Sequence, residues 1–241
     1  MTLGTATLIA GGSLMEFKRE FHMVVPVEHW LNRQGLMVKR EFLLPWGVCD
    51  LVAVSFNPRN VKRRLKLRQH EPIGPLSRVQ LLDQIPDADS GTAISEADLR
   101  ALSDGWSSTT SFEMDLQKLF RNRFVTRTND GLLQKLNGWY PLQKRLVAVE
   151  MKLFRVLEAL EQAASHLSFA TESYVALPAN ISENVVRGNR LSDFKSAGVG
   201  LLSVGMNNCR MVLRSSPPAT ASIDSPLQMH CAERFWRTRD S

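Results

Sequence analysis

The stretch GVCDLVAV, residues 47–54, places one acid, Asp50, inside an otherwise apolar, strand-like run. A second apolar run, LVAVEMK at residues 146–152, contains Glu150 and Lys152. Because side chains two positions apart on a strand leave the same face, Glu150 and Lys152 are predicted to point in one direction. Charges on a buried strand are costly unless they pair with each other or bind a metal. The two runs therefore predict a metal site, a local ion pair at a strand end, or charges that point into solvent on a half-exposed sheet.

The segments around these runs have the pattern of an α/β fold. Residues 37–44 and 48–54 flank a Pro-Trp-Gly turn, which predicts a hairpin. A helix over residues 14–33 precedes it, with a kink or break expected near residue 25 because Pro26 interrupts the pattern. After residue 145, a strand–helix–strand–helix–strand pattern predicts parallel strands in a mixed central sheet flanked by helices. The two helices of this second half are expected over about 155–171 and 181–196.

The segment between the two runs has a different pattern. Three helices are predicted, the last over residues 107–123, and a hairpin over residues 124–136 follows them. This order of elements is the layout of a winged helix. The expected domains are a discontinuous core of residues 1–58 and 144–213, an inserted winged-helix-like domain of residues 70–142, and a tail of residues 214–241.

The overall composition limits the classes of partner and location. A net charge of +6 and a pI of about 9.5 favour a polyanion such as nucleic acid. The three cysteines lie far apart and form no CxxC pair, which argues against a zinc site built on thiolates and against a disulfide framework. No apolar run approaches the roughly 20 residues of a membrane span, so no membrane partner is expected. Residues 1–15 lack the basic leader of a signal peptide, so the cytoplasm is the expected location.

With their surrounding elements, the two acid-bearing runs resemble the PD-(D/E)xK nuclease superfamily. In that family an acid on one strand and a (D/E)xK motif on the next bind a divalent ion. A helix with another acid precedes them, and a helix with a frequent Gln follows. The resemblance covers about residues 14–57 and 145–213, with Cys49 in place of the Pro in the motif's name. The matching residues are Glu20 in the leading helix, Asp50, Glu150, Lys152, and Gln162 in the string LEQA.

The resemblance implies a restriction-endonuclease-like fold and hydrolysis of phosphodiester bonds with Mg²⁺ or Mn²⁺. Carboxylate oxygens of Asp50 and Glu150, with the main-chain carbonyl of Met151, are the implied ligands of this hard cation. Lys152 is implied to hold the attacking water and to steady the developing negative charge.

The flanking helices offer further residues to this site. Glu20 is expected to reach the metal through water or to help a second ion, whereas Glu28 is expected to be a solvated helix acid. Two interpretations of Gln162 stay open: it is a site residue that orients other groups, or it is a surface residue. The five histidines show no ligand spacing and are expected at the surface or partly buried.

Two basic segments are candidates for contact with nucleic acid. Residues 59–68 carry six basic residues and no acid, which fits either a phosphate-tracking surface or a solvated connecting helix. The helix of residues 107–123 would lie in the major groove in a DNA-bound winged helix. Glu113 and Asp115 would put negative charge on its DNA-facing side, and many winged helices bind proteins instead. The candidate nucleic-acid-binding residues are Arg63, Arg64, Lys66, Ser108, Thr109, Lys118, Arg121 and Arg127.

The sequence thus predicts a metal-dependent DNA endonuclease whose inserted domain aids DNA binding. Two alternatives stay open: a non-catalytic DNA-binding or regulatory protein that reuses the fold, and an RNA-cleaving nuclease. The joint presence of Asp50, Glu150 and Lys152 favours the enzyme. Because cutting both strands of a duplex usually takes two sites, a homodimer is compatible with this hypothesis.

Overall fold

The computed structural model describes residues 17–136, 141–219 and 223–238. Residues 14–16 of the expected leading helix therefore lie outside the described residues. Within the described ranges, none of the helices has the length and apolarity needed to cross a membrane. The helices are α1 (Val24–Asn32), α2 (Pro58–Lys66), α3 (Leu76–Gln84), α4 (Glu96–Ser103), α5 (Thr109–Arg121), α6 (Val156–His166), α7 (Ala179–Arg187), α8 (Leu191–Ala197) and α9 (Ser225–Glu233). The strands are β1 (Met37–Leu44), β2 (Gly47–Phe56), β3 (Val125–Arg127), β4 (Leu133–Lys135), β5 (Gln143–Met151), β6 (Glu172–Pro178), β7 (Gly200–Val204) and β8 (Cys209–Leu213).

The central layer, as far as the chain is described, is a six-stranded sheet in the order β1-β2-β5-β6-β7-β8. β1 and β2 form the expected hairpin, and β2 also pairs antiparallel with β5. β5, β6 and β7 run parallel and are joined by α6 and by α7–α8, as the alternating pattern predicts. β8, which the sequence pattern did not indicate, pairs antiparallel with β7. The α/β class, with a mixed central sheet flanked by helices, is therefore confirmed.

Both faces of this sheet are covered. On one face, Leu51 and Val149 belong to the apolar core that includes α1. On the other face, Val52 and Ala148 pack in a core that includes Phe235 from the C-terminal segment. Where β2 and β5 are buried, a charged side chain must therefore find a polar partner, because neither face is open to bulk water there.

The leading helix is interrupted near residue 25, as expected, and Pro26 lies in the first turn of the helix that follows the interruption. α1 starts at Val24, so Pro26 lies in the first turn, where a missing N–H costs no helical hydrogen bond. The preceding residues, Glu20–Met23, form a 3₁₀ turn. The helix expected over 14–33 is consequently shorter, and Glu20 lies in the tight turn ahead of it.

The two helices expected in the second half differ from their predicted bounds. The helix expected over residues 181–196 is split into α7 and α8. Asn189, between them, has a φ of 55°, a left-handed conformation that Asn tolerates and a continuous α-helix cannot contain. α6 ends at His166, which places this residue in the last turn of the helix.

The segment between β2 and β5 leaves the sheet and returns at the same place. The amide of Asn57 donates to the carbonyl of Leu142 at 2.7 Å, which joins the two ends. α3, α4, α5 and the β3–β4 hairpin follow in the predicted order, and they bury a separate apolar cluster that includes Phe112. An isolated antiparallel bridge joins Ile94 to Leu133. A structured segment therefore accounts for the long sequence separation of β2 and β5.

The C-terminal segment belongs to the packed structure. Leu227 and Phe235 pack on the sheet, whereas Met229 joins the apolar cluster of the inserted segment. The buried indole N–H of Trp236 donates to the carbonyl of His70 at 2.8 Å. Residues 225–238 of the expected tail therefore form a helix and a 3₁₀ turn that join the sheet to the segment between β2 and β5.

Arg64 lies in this junction and not at the surface. Its guanidinium pairs with Glu233, and both side chains are buried. It also donates to the carbonyl of Glu71 at 2.8 Å and lies 4.2 Å from the ring centroid of Trp236. Because a buried and paired guanidinium cannot reach a phosphate backbone, the prediction that Arg64 binds nucleic acid was wrong.

Candidate metal centre

Asp50 and Glu150 meet at one end of the sheet although they lie far apart in the sequence. β2 and β5 pair antiparallel with Leu51 opposite Val149, and continuing that register brings Asp50 opposite Glu150. The main-chain amide of Met151 donates to Oδ2 of Asp50 at 2.7 Å, which ties the two strand ends together. The side chain of Met151 is buried in the core that includes α1. Met151 therefore offers the site only its main chain.

Glu150 is the centre of a buried ion-pair network. Its Oε1 accepts a hydrogen bond from Nζ of Lys152 at 2.6 Å, and its Oε2 lies 3.5 Å from Nε2 of His166. Burial acts to raise the pKa of Glu150, but the hydrogen bonds from His166 and Lys152 outweigh it and hold the pKa below its usual value. The ion pair that the sequence offered as the alternative to a metal site is thus present, but it is buried.

Lys152 is held as an ammonium group. Burial acts to lower the pKa of Lys152, but its hydrogen bond to Glu150 and the negative charges of Glu150, Asp50 and Glu20 outweigh burial and raise this pKa above its usual value. A protonated lysine has three N–H donors and no acceptor. Lys152 can therefore hold and donate to an oxygen, but it cannot act as a base.

Glu20 brings a third carboxylate to the same end of the sheet. Its Oε1 accepts a hydrogen bond from the amide of Leu153 at 3.3 Å, one residue beyond Lys152. Burial, together with the charges of Glu150 and Glu20, raises the pKa of Asp50 to about 6. Carboxylates crowded in this way are stabilised by a cation, and their oxygens are the ligands that Mg²⁺ and Ca²⁺ prefer. The donor set therefore fits a hard divalent cation.

Glu28 takes no part in this cluster. Its carboxylate pairs with the guanidinium of Arg40 on β1 at 2.5 Å, and its side chain is only 16% exposed. Glu28 is therefore a helix acid outside the site, as expected, although it is paired with Arg40 and only partly exposed. Of the two acids in the leading segment, Glu20 is the one that lies at the end of β5.

Cys49 and His166 are members of the site that the sequence did not reveal. His166 is buried against Glu150, whereas it was expected at the surface or partly buried. Ligand atoms of Cys49, Glu150 and His166 all lie within 4.8 Å of one another. No spacing rule finds this set, because its members come from three different elements. The available signal was only that α6 directly follows the strand that carries Glu150.

Gln162 lies at the mouth of the site. It is exposed on α6 and lines, together with Trp46, Val48, Glu150 and His166, a cavity of about 120 Å³. Its position beside Glu150 is compatible with a residue that orients groups entering this cavity.

Most of the remaining candidates for nucleic-acid contact are exposed. Arg63 and Lys66 are exposed on α2, and Thr109, Lys118 and Arg121 are exposed on α5.

Two candidates at the inserted segment already have partners. Ser108 caps α5, since its hydroxyl accepts the amide of Ser111 at 3.3 Å. Arg127 pairs with Glu96 at 2.5 Å and donates to the carbonyl of Gly131 at 2.9 Å. Both side chains remain exposed, so a phosphate oxygen would have to share or replace these contacts.

Contrary to expectation, Asp115 does not place negative charge on the exposed face of α5. It is buried and accepts hydrogen bonds from the hydroxyl of Ser77 and the guanidinium of Arg78, each at 2.9 Å. Glu113 is exposed and lies 3.4 Å from Arg100. The exposed face of α5 is therefore less acidic than the sequence indicated.

Comparison with known proteins adds little to this geometry. No model of a known protein family matches the chain, and no curated protein matches it. Among solved structures, a protein of unknown function from Silicibacter pomeroyi is similar with a TM-score of 0.39 and 10% identity, over 94% of each chain. A likeness at this level carries no argument about fold family or function, so both rest on the residues of this chain.

Proposed function

We propose that this chain is a metal-dependent nuclease that hydrolyses phosphodiester bonds of DNA and is built on a restriction-endonuclease-like core. The observation that carries the proposal is the convergence of Asp50, Glu150 and Glu20 beside Lys152 at the ends of β2 and β5. The order helix, hairpin, strand, helix, strand, with Gln162 on the helix after Lys152, also supports it. A structural ion pair needs only Glu150 and Lys152 and gives no reason for two further carboxylates.

The residues of the chain have separate parts in this chemistry. Bound Mg²⁺ or Mn²⁺ would neutralise phosphate charge and lower the pKa of a coordinated water. Asp50 and Glu150 would hold the ion through carboxylate oxygens and Met151 through its carbonyl, with Glu20 acting through water. Lys152 would donate to the attacking water and to the negative charge that develops on the phosphate. Its ion pair with Glu150 holds the ammonium group in position before substrate arrives.

Cleavage of plasmid DNA tests this proposal. The wild-type protein should cut DNA with Mg²⁺ or Mn²⁺, EDTA should stop the reaction, and Asp50→Asn should be inactive with an unchanged circular dichroism spectrum. Asn keeps the shape of the side chain and can still accept the amide of Met151, but it brings no charge to the cation. A wild-type protein that holds DNA and cuts neither DNA nor RNA with either metal is a non-catalytic binder. A protein that cuts RNA alone is the RNA-cleaving alternative.

Asp50→Asn should also weaken Mn²⁺ binding by more than about tenfold, because loss of a group that supports a metal commonly costs that much. Electron paramagnetic resonance of free Mn²⁺ measures the affinity without any substrate. Glu28→Gln is the matched control, since it removes a carboxylate of α1 that pairs with Arg40 away from the cluster. Equal Mn²⁺ affinities in the wild type and Asp50→Asn contradict the assignment of Asp50.

The inserted segment is proposed to be a winged helix that contacts DNA. Three helices followed by a hairpin support this, and the bridge between Ile94 and Leu133 supports a short extra strand between α3 and α4. In this arrangement α5 enters the major groove. Lys118 and Arg121, three positions apart near the end of α5, share one exposed side of the helix and can meet phosphates.

The double variant Lys118→Glu/Arg121→Glu should weaken DNA binding at least about tenfold at low salt and to a similar extent for unrelated sequences. The salt dependence of log K should become shallower by roughly one unit per lost phosphate contact. Fluorescence anisotropy at several salt concentrations measures both effects. Arg187→Glu/Lys195→Glu, at exposed sites on α7 and α8, changes the net charge by the same amount and is the control. If the Lys118→Glu/Arg121→Glu variant binds as tightly as this control, the insert contacts a protein or only shapes the fold.

A further inference from the structure

Cys49, Glu150 and His166 form a second set of ligand atoms next to the proposed hard-cation site. The three atoms lie within 4.8 Å of one another, and all three side chains are buried. Nε2 of His166 and Oε2 of Glu150 are 3.5 Å apart. The hydrogen bond between these two atoms is therefore a long one. Their separation is close to the roughly 3.3 Å that separates nitrogen and oxygen ligands on a tetrahedral zinc ion.

Two members of this cluster, Cys49 and His166, have weak partners otherwise, whereas Glu150 also pairs with Lys152. Within the described residues, Nδ1 of His166 is buried and has no hydrogen-bond partner. In the described part of the chain, the hydrogen-bond partners of Sγ of Cys49 are the main-chain carbonyls of Leu51 and Val149, at 3.3 and 3.7 Å. Thiols are weak donors, so these contacts hold the sulfur loosely. Turning Cys49 toward His166 and Glu150 would therefore give up little.

A cavity borders two members of the cluster, Glu150 and His166. The cavity of about 120 Å³ is lined by Glu150, His166 and Gln162, and it also borders the exposed Trp46. The cavity has room for a water molecule, which would complete a four-coordinate site with three protein ligands.

We infer that Cys49, Glu150 and His166 form a site for a soft divalent cation such as Zn²⁺, and that occupying it draws Glu150 away from the hard cation. One sulfur, one nitrogen and one oxygen ligand favour Zn²⁺ over Mg²⁺, whose preferred ligands are all oxygens. On binding, the thiol proton of Cys49 leaves to solvent as the sulfur–metal bond forms. The sequence argued against a zinc site because no cysteines are closely spaced, but this site uses only one.

The competition between the two ions rests on the proposed function, whereas the soft-cation site stands without it. Glu150 is the only residue common to both ligand sets. Zn²⁺ at the soft site would also bring a second doubly charged ion close to the hard one. Zn²⁺ is therefore an inhibitor of the proposed nuclease.

A Co²⁺ titration of the full chain tests the soft site directly. The wild type should show a thiolate-to-cobalt charge-transfer band that saturates at one equivalent. Cys49→Ser should lose this band, and His166→Gln should bind Co²⁺ at least about tenfold more weakly. Cys209→Ser, a buried free cysteine on β8, should keep the band. A wild type without the band, or a band that persists in Cys49→Ser, overturns the assignment.

Displacement of Mn²⁺ tests the competition separately. A low concentration of Zn²⁺ should release bound Mn²⁺ from the wild type, which the electron paramagnetic resonance of free Mn²⁺ measures. Cys49→Ser should need a Zn²⁺ concentration at least about tenfold higher for the same release. Zn²⁺ that binds without releasing Mn²⁺ overturns the competition and leaves the soft site in place. A wild type with the Co²⁺ band but no Mn²⁺ affinity overturns the hard-cation site of the proposed function instead.

Discussion

Replacing Lys152 with Ala should lower the rate of DNA cleavage by about 10²- to 10⁴-fold, the range in which a positioned donor contributes to a transition state. Lys152 is fixed by its 2.6 Å hydrogen bond to Glu150 and is held protonated. Its loss removes the ammonium group that contacts Glu150 at this strand end. Single-turnover cleavage at saturating Mn²⁺ measures the effect on the chemical step alone.

The matched control is Lys144→Ala, on the same strand but at its exposed end. It should cut DNA at a rate close to that of the wild type. Lys152→Ala should still bind Mn²⁺, because Asp50 and Glu150 remain, and this separates a role in the reaction from one in metal binding. Cleavage by Lys152→Ala at the wild-type rate would remove Lys152 from the mechanism.

Replacing Arg64 with Ala should lower the free energy of unfolding by about 3–5 kcal/mol, the usual cost of removing one partner of a buried ion pair. Glu233 would be left buried without its counter-ion, although it would keep the amide of Ile73 at 3.0 Å. The stacking of the guanidinium on Trp236 would also be lost. Urea unfolding followed by circular dichroism measures the change.

Lys62→Ala on the same helix is the control, since Lys62 is exposed and its loss should change stability by no more than about 0.5 kcal/mol. Arg64→Met/Glu233→Met should recover part of the loss, because removing both charges leaves neither one unpaired. Equal unfolding midpoints for Arg64→Ala and Lys62→Ala would contradict the buried ion pair.

The parts of the fold that the sequence predicted are those with local patterns. Apolar runs and the Pro-Trp-Gly turn determine the β1–β2 hairpin, and alternation of strands and helices determines the parallel strands. β8 was missed because two consecutive residues within it, Arg210 and Met211, are exposed. The segment therefore lacks the alternation of apolar and polar residues that indicates a strand. The burial of Arg64 was missed because Glu233, its partner, comes from a C-terminal segment with little pattern of its own.

The same distinction applies to the candidate site: residues with a local sequence signal could be predicted, and residues that only the tertiary structure brings together could not. Asp50, Glu150 and Lys152 could be found because a charge inside an apolar run is a conspicuous local feature. His166 could not, because only the tertiary structure brings the last turn of α6 against Glu150. Cys49 has no local signal either, since a cysteine in an apolar run is indistinguishable from an ordinary core residue.

The position of the metal underlies the whole proposed function, and anomalous diffraction from crystals grown with Mn²⁺ measures it directly. The expected result is a peak between the carboxylates of Asp50 and Glu150, within coordination distance of an oxygen of each, and its absence from crystals of Asp50→Asn. Crystals of the wild type at saturating Mn²⁺ with no peak between these two carboxylates would contradict the proposed metal centre.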